Sequence, residues 1–300
     1  MKYPVLLPNI FDHPFTYESS LKLKTGDYVN VPFGRKIITG VIWNKFELNV
    51  NKKFEIKTVK EKLNIEPLKN QTVNFLNWFS DYNLVPLGMA LKLHLLKGHA
   101  IIKQKISEYQ QYQVEINKEK YHLSDEQEKA FKELVKHDNS FRVHLLQGTT
   151  GSGKTLVYFK AIEKIILKGK QSLILLPEIG LTGEFEKKFK NFFGFEAAIW
   201  HSKITLKRKK IIWSGLASGE IKVVIGARSA LFLPFKKLGL IIVDEEHDQS
   251  YKQDEGVIYN ARDMAISRAS FENIPVNLIT AVPSIETFDN IKKGKYSVSK

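Results

Sequence analysis

Short apolar runs broken by turn residues dominate the first 65 residues of the chain. Three runs carry the β-branched and aromatic residues typical of strands, and they span Tyr28–Val31, Ile37–Trp43 and Phe54–Val59. The turn-forming sequences Thr25-Gly26-Asp27 and Pro32-Phe33-Gly34 interrupt them. From residue 70 to residue 97 the apolar spacing becomes helical. The pattern predicts a small β-barrel or sandwich followed by helices.

Longer apolar runs alternate with helix-length segments from residue 123 onward. Ser124 followed three residues later by Gln127 is a capping box, which predicts a helix ending near Lys136. Six runs have the unbroken apolar character of buried parallel strands: Phe141–Leu146, Ser172–Leu176, Phe195–Trp200, Ile221–Ile225, Leu238–Val243 and Val276–Ile279. This half is expected to be α/β, with a parallel sheet and helices on both faces.

The change of pattern indicates two domains. Residues 1–97 are expected to form a small mainly-β domain, and residues 123–300 an α/β domain. Residues 98–122 between them are rich in Lys, Gln, Glu and Tyr and have little apolar pattern, so we interpret them as a linker.

Charge and composition narrow the class of protein. The 46 basic and 32 acidic side chains give a net charge of +14, which favours a polyanionic partner such as nucleic acid. The sequence has no cysteine, which excludes disulfides, thiolate zinc sites and cysteine nucleophiles. No apolar run approaches the roughly 18 residues of a membrane span, and the first residues do not read as a signal peptide. We therefore expect a cytoplasmic protein without a membrane partner.

A phosphate-binding motif follows the first predicted strand of the second half. It matches the P-loop pattern without a mismatch, and its residues are Gly148, Thr149, Thr150, Gly151, Ser152, Gly153, Lys154 and Thr155. The motif opens a predicted helix, Lys154–Leu167, where backbone N–H groups favour anions. We expect Lys154 to reach the β- and γ-phosphates and the Thr155 hydroxyl to bind Mg²⁺. The motif predicts a nucleotide site that takes ATP with Mg²⁺.

Acidic residues at the end of another predicted strand complete this site. The run Leu240–Val243 is followed by Asp244, Glu245, Glu246 and His247. The carboxyl end of a strand is where ligand sites of α/β sheets lie. We expect Asp244 to bind Mg²⁺ and Glu245 to orient and deprotonate the attacking water. His247 is a candidate sensor of the γ-phosphate.

The segments around these two motifs resemble superfamily 2 helicases, and more narrowly the bacterial primosomal replication-restart helicases. In the second half the resemblance rests on Pro177–Thr182, His201-Ser202, Gly226–Phe232, Asp244–Asp248, Tyr251–Gln253, Tyr259–Asp263 and Pro283–Glu286. In the first half it rests on Phe15–Tyr17, Val31–Arg35, Ile56-Lys57, Trp78–Tyr82 and Pro86–Gly88. It covers both predicted domains.

The resemblance implies roles for individual residues. A pocket for the 3′-terminal nucleotide of a nascent strand would comprise Phe15, Thr16, Gly34 and Lys57. Gln127 would recognise adenine, and Arg228 and Ser229 would contact the backbone of the tracking strand. Tyr251, Lys252 and Arg262 would bind DNA as part of an aromatic-rich loop that couples DNA binding to ATP hydrolysis. ATP and Mg²⁺ are the implied cofactors, without zinc in this chain.

The activity implied by the resemblance is ATP-dependent 3′-to-5′ unwinding of stalled or forked DNA to initiate replication restart. Forked or single-stranded DNA and primosome proteins are the implied partners. Two alternatives stay open: a non-enzymatic fork-binding module that binds ATP without useful turnover, and a restriction or remodelling ATPase of the same superfamily. The last leaves residues 1–97 unexplained.

Several positions depart from the family pattern. Thr16 stands where the family has an acidic residue that reads the 3′-hydroxyl, Ala227 replaces a threonine, and Val282 replaces the hydroxyl of the coupling motif. The linker is too short for the family's winged-helix domain, and residue 300 falls where the first helicase lobe ends. The chain is thus expected to be a fragment or a degenerate relative. In the family the second lobe carries an arginine finger, which is worth about 10³–10⁵ in rate, so this chain alone is expected to hydrolyse ATP weakly.

Overall fold

The chain divides into two compact units in the computed structural model, which describes residues 1–44, 55–96, 112, 121–136, 139–177, 180 and 182–300. The first unit comprises Met1–Gln104 and Leu206–Ser218, and the second comprises Lys105–Thr205 and Gly219–Lys300. Most of the predicted linker lies outside the described residues, and its boundaries stay a prediction. None of the described helices combines the length and apolar character that a membrane crossing requires.

The first unit contains a five-stranded antiparallel sheet with the strand order β2-β1-β4-β3-β5. Its strands are β1 (Lys2–Leu6), β2 (Phe15–Glu18), β3 (Tyr28–Phe33), β4 (Lys36–Ile42) and β5 (Glu61–Lys62). Buried side chains from these strands and their connections, Val5, Leu7, Tyr17, Leu23, Val29, Val31, Ile42 and Val59, form the core of the sheet. This arrangement confirms the mainly-β prediction for the first domain.

The two edges of this sheet approach each other at one bridge. Glu18 at the end of β2 pairs with Thr58, which precedes the opposite edge strand β5. The strand predicted over Phe54–Val59 is therefore reduced to this bridge, with β5 itself displaced to Glu61–Lys62. Phe54 lies outside the described residues. The prediction placed the strand too early. The segment before β5 makes an isolated bridge to β2, and regular pairing with β3 begins at Glu61.

Three helices pack in the first unit: α1 (Asn70–Asn83), α2 (Leu87–His94) and α6 (Leu206–Ser218). Helix α6 is anchored by Trp213, whose buried indole Nε1 donates to the carbonyl of His94 at 2.9 Å. The His94 Nε2 lies 2.7 Å from the hydroxyl of Tyr28. A segment distant in sequence thus completes this unit, although the sequence pattern assigned it to the second domain.

The second unit is built on a seven-stranded parallel sheet with the order β14-β6-β13-β10-β7-β9-β8. Its strands are β6 (Arg142–Gln147), β7 (Gln171–Leu175), β8 (Ala198–Trp200), β9 (Val223–Gly226), β10 (Leu238–Asp244), β13 (Pro275–Thr280) and β14 (Ser297–Ser299). A separate hairpin pairs β11 (Lys252–Gln253) with β12 (Tyr259–Asn260). All six strands predicted for this half are present, with shifted ends, and β14 was not predicted.

The helices of this unit are α3 (Asp125–Val135), α4 (Lys154–Leu167), α5 (Gly183–Phe193), α7 (Ala261–Glu272) and α8 (Ile285–Lys292). The α/β prediction is confirmed. Because β6, β13 and β10 are neighbours and parallel, their carboxyl ends meet at one edge of the sheet. That edge carries the P-loop after β6, the acidic run after β10 and the segment Thr280–Pro283 after β13.

Candidate functional site

The P-loop connects β6 to α4 through two glycines in the left-handed region. Gly151 and Gly153 have φ angles of 84° and 82°, which only glycine adopts without strain. A Cβ on Gly153 would lie 2.4 Å from Nε2 of Gln127, so a side chain there would displace that amide. A Cβ on Gly151 would meet nothing within 4 Å, so that side of the loop is open. The glycines thus shape a backbone cradle with one free side.

Lys154 turns its ammonium group into this cradle. Its Nζ donates to the carbonyl oxygens of Gly148 at 2.7 Å and Thr149 at 3.0 Å. Two neutral carbonyls are weaker partners for an ammonium than a phosphate oxygen is. The side chain is therefore already positioned at the loop, where an anionic ligand would compete for it.

Gln127 joins the start of α3 to the P-loop. The capping box is present, with the Ser124 amide donating to Oε1 of Gln127 at 3.0 Å. The Nε2 group donates to the Ser152 carbonyl at 3.1 Å. Both ends of the amide thus have protein partners in this arrangement, and adenine recognition by Gln127 stays a prediction.

Asp244 contacts a residue that the sequence interpretation missed. The Tyr158 hydroxyl donates to Oδ2 of Asp244 at 2.9 Å. Burial raises the pKa of Asp244 to about 6. Tyr158 follows Thr155 by three residues on α4, and this spacing puts both on one helix face. The spacing could have indicated from the sequence that Tyr158 lies at the site.

These oxygen groups fit Mg²⁺. One carboxylate and one hydroxyl beside a phosphate cradle are the donor set of a cation that keeps several waters and binds nucleotide phosphates. Among the residues that the structure describes, no three His, Cys, Asp or Glu side chains are grouped to hold a metal by themselves. The assignment of Mg²⁺ to Thr155 and Asp244 stays a prediction.

Glu245 has an unusual backbone conformation at the end of β10. Its φ angle is 47°, which a non-glycine residue adopts at a cost of about 1–2 kcal/mol. The side chain is partly exposed, with Oε2 3.6 Å from Nδ1 of His247. The turn therefore presents the carboxylate of Glu245 outward at the edge that carries the P-loop, where its predicted role as a base requires it.

His247 connects the acidic run to the end of β13. Its Nδ1 lies 2.7 Å from the hydroxyl of Thr280, which in turn donates to the carbonyl of Val282 at 2.9 Å. Val282 itself is 68% exposed. Sensing of a γ-phosphate by His247 stays a prediction. The hydroxyl of Thr280 connects His247 to the loop that carries Val282.

Glu246 is the centre of a buried network that the sequence interpretation also missed. Its carboxylate accepts from the Ser284 amide at 2.7 Å, from the Ser284 hydroxyl at 3.0 Å and from the Thr287 hydroxyl at 3.0 Å. The Arg262 guanidinium lies 3.3 Å away and donates to the Ser284 hydroxyl at 2.7 Å. Arg262 is thus held in a buried ion pair. Its predicted contact with DNA is untested, and the structure shows it fixing α7 and α8 to the acidic run.

The two residues predicted to contact the DNA backbone, Arg228 and Ser229, begin a short 3-10 turn, Arg228–Phe232. Arg228 donates to the Lys252 carbonyl at 2.7 Å, and the Ser229 hydroxyl accepts from the Trp200 indole at 3.2 Å. Lys252 is exposed. The structure therefore brings Arg228, Ser229 and Lys252 into one region, and their DNA contacts stay a prediction.

Tyr251 lies beneath this region and is buried. Its hydroxyl contacts the carbonyl oxygens of Asp244 and Leu175. The buried Arg268 of α7 supports the same turn by donating to the carbonyls of Leu231 and Leu233. Tyr251 thus links the phosphate-site strand to the segment carrying Lys252, a placement that suits coupling more than direct DNA contact.

In the first unit the predicted end-binding residues lie at the end of the sheet that carries the β3–β4 turn. The rings of Phe15 and Phe33 are 5.3 Å apart, and Gly34 follows in the turn with a φ of 58°. Thr16 is half-buried beside Phe15. Lys57 is exposed, and its carbonyl accepts from the Glu18 amide at 3.0 Å. Phe15 thus contacts the residue that precedes Gly34, and Lys57 lies at the adjoining edge.

Two family matches cover the two halves of the chain. Residues 124–291 match the DEAD/DEAH box helicases, and residues 4–95 match a 3′ DNA-binding domain. The first match covers more than half of the sequence. The chain belongs to the DEAD/DEAH box helicase family.

The particular relatives are replication restart proteins. The chain is 43% identical over 296 residues to the replication restart protein PriA of Rickettsia conorii, covering 98% of this chain and 45% of that protein. It is 36% identical over 291 residues to PriA of Helicobacter pylori strain 26695, covering 95% and 44%. The chain thus spans about half the length of these relatives. The predicted resemblance to replication-restart helicases is confirmed.

Proposed function

We propose that the second unit binds ATP with Mg²⁺ and that the first unit binds the 3′ end of a DNA strand. The chain then acts as the N-terminal part of an ATP-dependent 3′-to-5′ DNA helicase that recognises stalled or forked DNA. In this role it takes part in primosome assembly at replication restart. The observation that carries the proposal is that Lys154, in the P-loop that follows β6, and Asp244 and Glu245, at the end of β10, belong to the same edge of one sheet, where only β13 separates the two strands.

The phosphate site offers a lysine for the phosphates, a carboxylate for the attacking water and oxygen ligands for Mg²⁺. Lys154 leaves its two loop carbonyls to bind phosphate oxygens, and Glu245 accepts the proton of the attacking water. Thr155 and Asp244 would hold Mg²⁺, which supplies neutralisation of phosphate charge. Tyr158 keeps the Asp244 carboxylate oriented toward this position.

The first unit supplies chemistry that fits a strand end. Phe15 offers an aromatic surface for a base, Gly34 leaves open space for close approach, and Lys57 offers a cation for a phosphate. The match of residues 4–95 to a 3′ DNA-binding domain supports this assignment. The net charge of +14 is consistent with DNA as the partner.

The alternative is a module that binds forked DNA and ATP without useful turnover. Val282 favours it, because an exposed methyl group stands where the resemblance implies a hydroxyl that couples the two sites. The hydroxyl of Thr280 and its contact with His247 favour the enzyme, since one polar link between the loops is present.

Steady-state ATP hydrolysis by the 300-residue chain separates the two functions. It is measured with and without forked DNA that carries a free 3′ end, in the wild type, in Glu245→Gln and in Glu184→Gln as an exposed control. DNA-stimulated turnover lost only in Glu245→Gln supports the enzyme. Binding of both ligands without turnover supports the alternative for the 300-residue chain by itself, and absence of nucleotide binding overturns both.

A further inference from the structure

The loop between β1 and β2 exposes apolar and aromatic side chains beside the end-binding pocket. Ile10 is 72% exposed and Phe11 is 40% exposed, and His13 is exposed as well. Single apolar residues are common on protein surfaces, but adjacent large ones mark binding sites. Phe15 and Phe33, by contrast, are half-buried.

This loop is held in one conformation. The Phe11 amide donates to Oδ1 of Asn9 at 2.9 Å, and the Phe11 carbonyl accepts from the Gly88 amide at 3.0 Å. Asp12 accepts from the Leu87 amide at 2.8 Å, so it caps the start of α2. A Cβ on Gly88 would lie 2.6 Å from the Asn9 carbonyl, so only glycine permits this contact. The exposed ring is therefore pre-organised and loses little conformational freedom when a ligand covers it.

The exposed rings continue the pocket directly. The Phe11 ring lies 5.3 Å from the Phe15 ring, and the His13 ring lies 4.9 Å from it. The Phe11 ring stands at 88° to the Phe15 ring, so its face is a separate surface on which a second base can stack. Arg35 and Lys36, both exposed in and after the turn that follows Phe33, place cations nearby.

We propose that Phe11, supported by His13, stacks the base of the nucleotide that precedes the 3′-terminal one in a single strand. The inference rests on the proposed end-binding function and adds a second base position to it. Stacking needs no particular base, so this position adds affinity without sequence preference. The neighbouring cations would hold the connecting phosphates.

The test measures fluorescence anisotropy of a labelled single strand with a free 3′-hydroxyl, at one salt concentration. Strands are intact, abasic at the 3′-terminal nucleotide, abasic at the preceding nucleotide, or abasic at the fifth. The 300-residue chain is used as wild type, Phe11→Ala, Phe11→Tyr, and Tyr82→Ala. The last is a matched control, since Tyr82 is an exposed ring of the same unit.

Phe11→Ala should weaken binding of the intact strand about tenfold, the loss of one base–aromatic stack. The abasic site at the preceding nucleotide should cost the wild type the same and cost Phe11→Ala nothing more. Phe11→Tyr, Tyr82→Ala and the fifth-position abasic strand should change little. Equal affinity of Phe11→Ala and wild type for the intact strand overturns the inference.

A loss in Phe11→Ala that persists in full on the strand abasic at the preceding nucleotide also overturns the inference, because Phe11 would then support the rings of Phe15 and Phe33 without stacking that base. The terminal abasic strand tests the underlying function separately. If it binds as tightly as the intact strand, the end-binding pocket itself is wrong, whatever Phe11 does.

Discussion

The two candidate sites are built from different parts of the chain. The P-loop of the predicted phosphate site is one continuous run, Gly148–Thr155, whose backbone is shaped by its glycines. The proposed end-binding pocket draws single residues from separate segments, such as Phe15 in β2, Gly34 in a turn and Lys57 near the opposite sheet edge. A site made by the backbone has a spacing that is visible in the sequence, whereas one made by scattered side chains has none.

The largest effect should come from removing the ammonium of the phosphate site. Lys154→Ala should weaken ATP binding roughly 100-fold, because charge-assisted hydrogen bonds to phosphate are lost. Binding of a DNA 3′ end should stay within about twofold, since the pocket lies in the other unit. Titration of fluorescent nucleotide and of labelled DNA measures both.

Lys187→Ala, an exposed lysine on α5, is the control for general charge loss and should leave both affinities unchanged. Equal weakening of ATP and DNA binding by Lys154→Ala would show that the two sites are not separate.

The buried network of the second unit gives the next effect. Glu246→Gln keeps the shape of the side chain but removes the buried carboxylate that faces Arg262, while Asp263 stays 2.8 Å from the guanidinium, at a cost of about 2 kcal/mol. The free energy of urea unfolding measures this. Glu286→Gln is the matched control, since Glu286 is 3.7 Å from the same guanidinium but exposed, and it should cost under about 1 kcal/mol. Equal costs would show that burial of Glu246 does not matter.

Mild acid should destabilise the second unit through His144. Burial, together with nearby Arg142, lowers its pKa to about 4, and its nitrogens contact the hydroxyls of Ser297 and Ser299. From pH 6.5 down to about 4 the unfolded chain takes a proton that the folded chain refuses, so stability falls as the pH falls. Between pH 7 and pH 5 the expected loss is about 2 kcal/mol.

His144→Gln bonds the same hydroxyls without titrating, so its stability should change less over that range. Thermal unfolding at the two pH values measures the difference. An identical loss in wild type and variant would mean that other groups cause the acid sensitivity.

The smallest effect should sharpen the end-binding pocket. Thr16→Asp places a carboxylate where it accepts a hydrogen bond from a 3′-hydroxyl and repels a 3′-phosphate. Preference for the hydroxyl end should rise about tenfold, measured as the ratio of the two dissociation constants. Ser20→Asp adds the same charge elsewhere on this unit and should leave the ratio unchanged. A ratio unaltered in Thr16→Asp would place the strand end away from residue 16.

The sequence predicted features that depend on neighbouring residues better than features that depend on residues from separate segments. The P-loop, the acidic run and the six buried strands were predictable because each depends on neighbouring residues. Strands β1, β2 and β14 were missed because their sequences, KYPVL, FTYE and SVS, contain no long apolar run. The contacts of Glu246 with Arg262 and Ser284 span 16 and 38 residues, and no local spacing announces them.

Helix α6 has a consequence for how the protein is made. The first unit needs Trp213, yet more than a hundred residues of the second unit separate this helix from Gln104. Ribosomes add about 5–20 residues per second, so the first unit waits roughly 5–20 s for its last helix to be synthesised. Its sheet emerges first, but the unit lacks α6 during that interval and exposes the surface against which Trp213 later packs. A chain cut between the two predicted domains would leave that surface uncovered permanently.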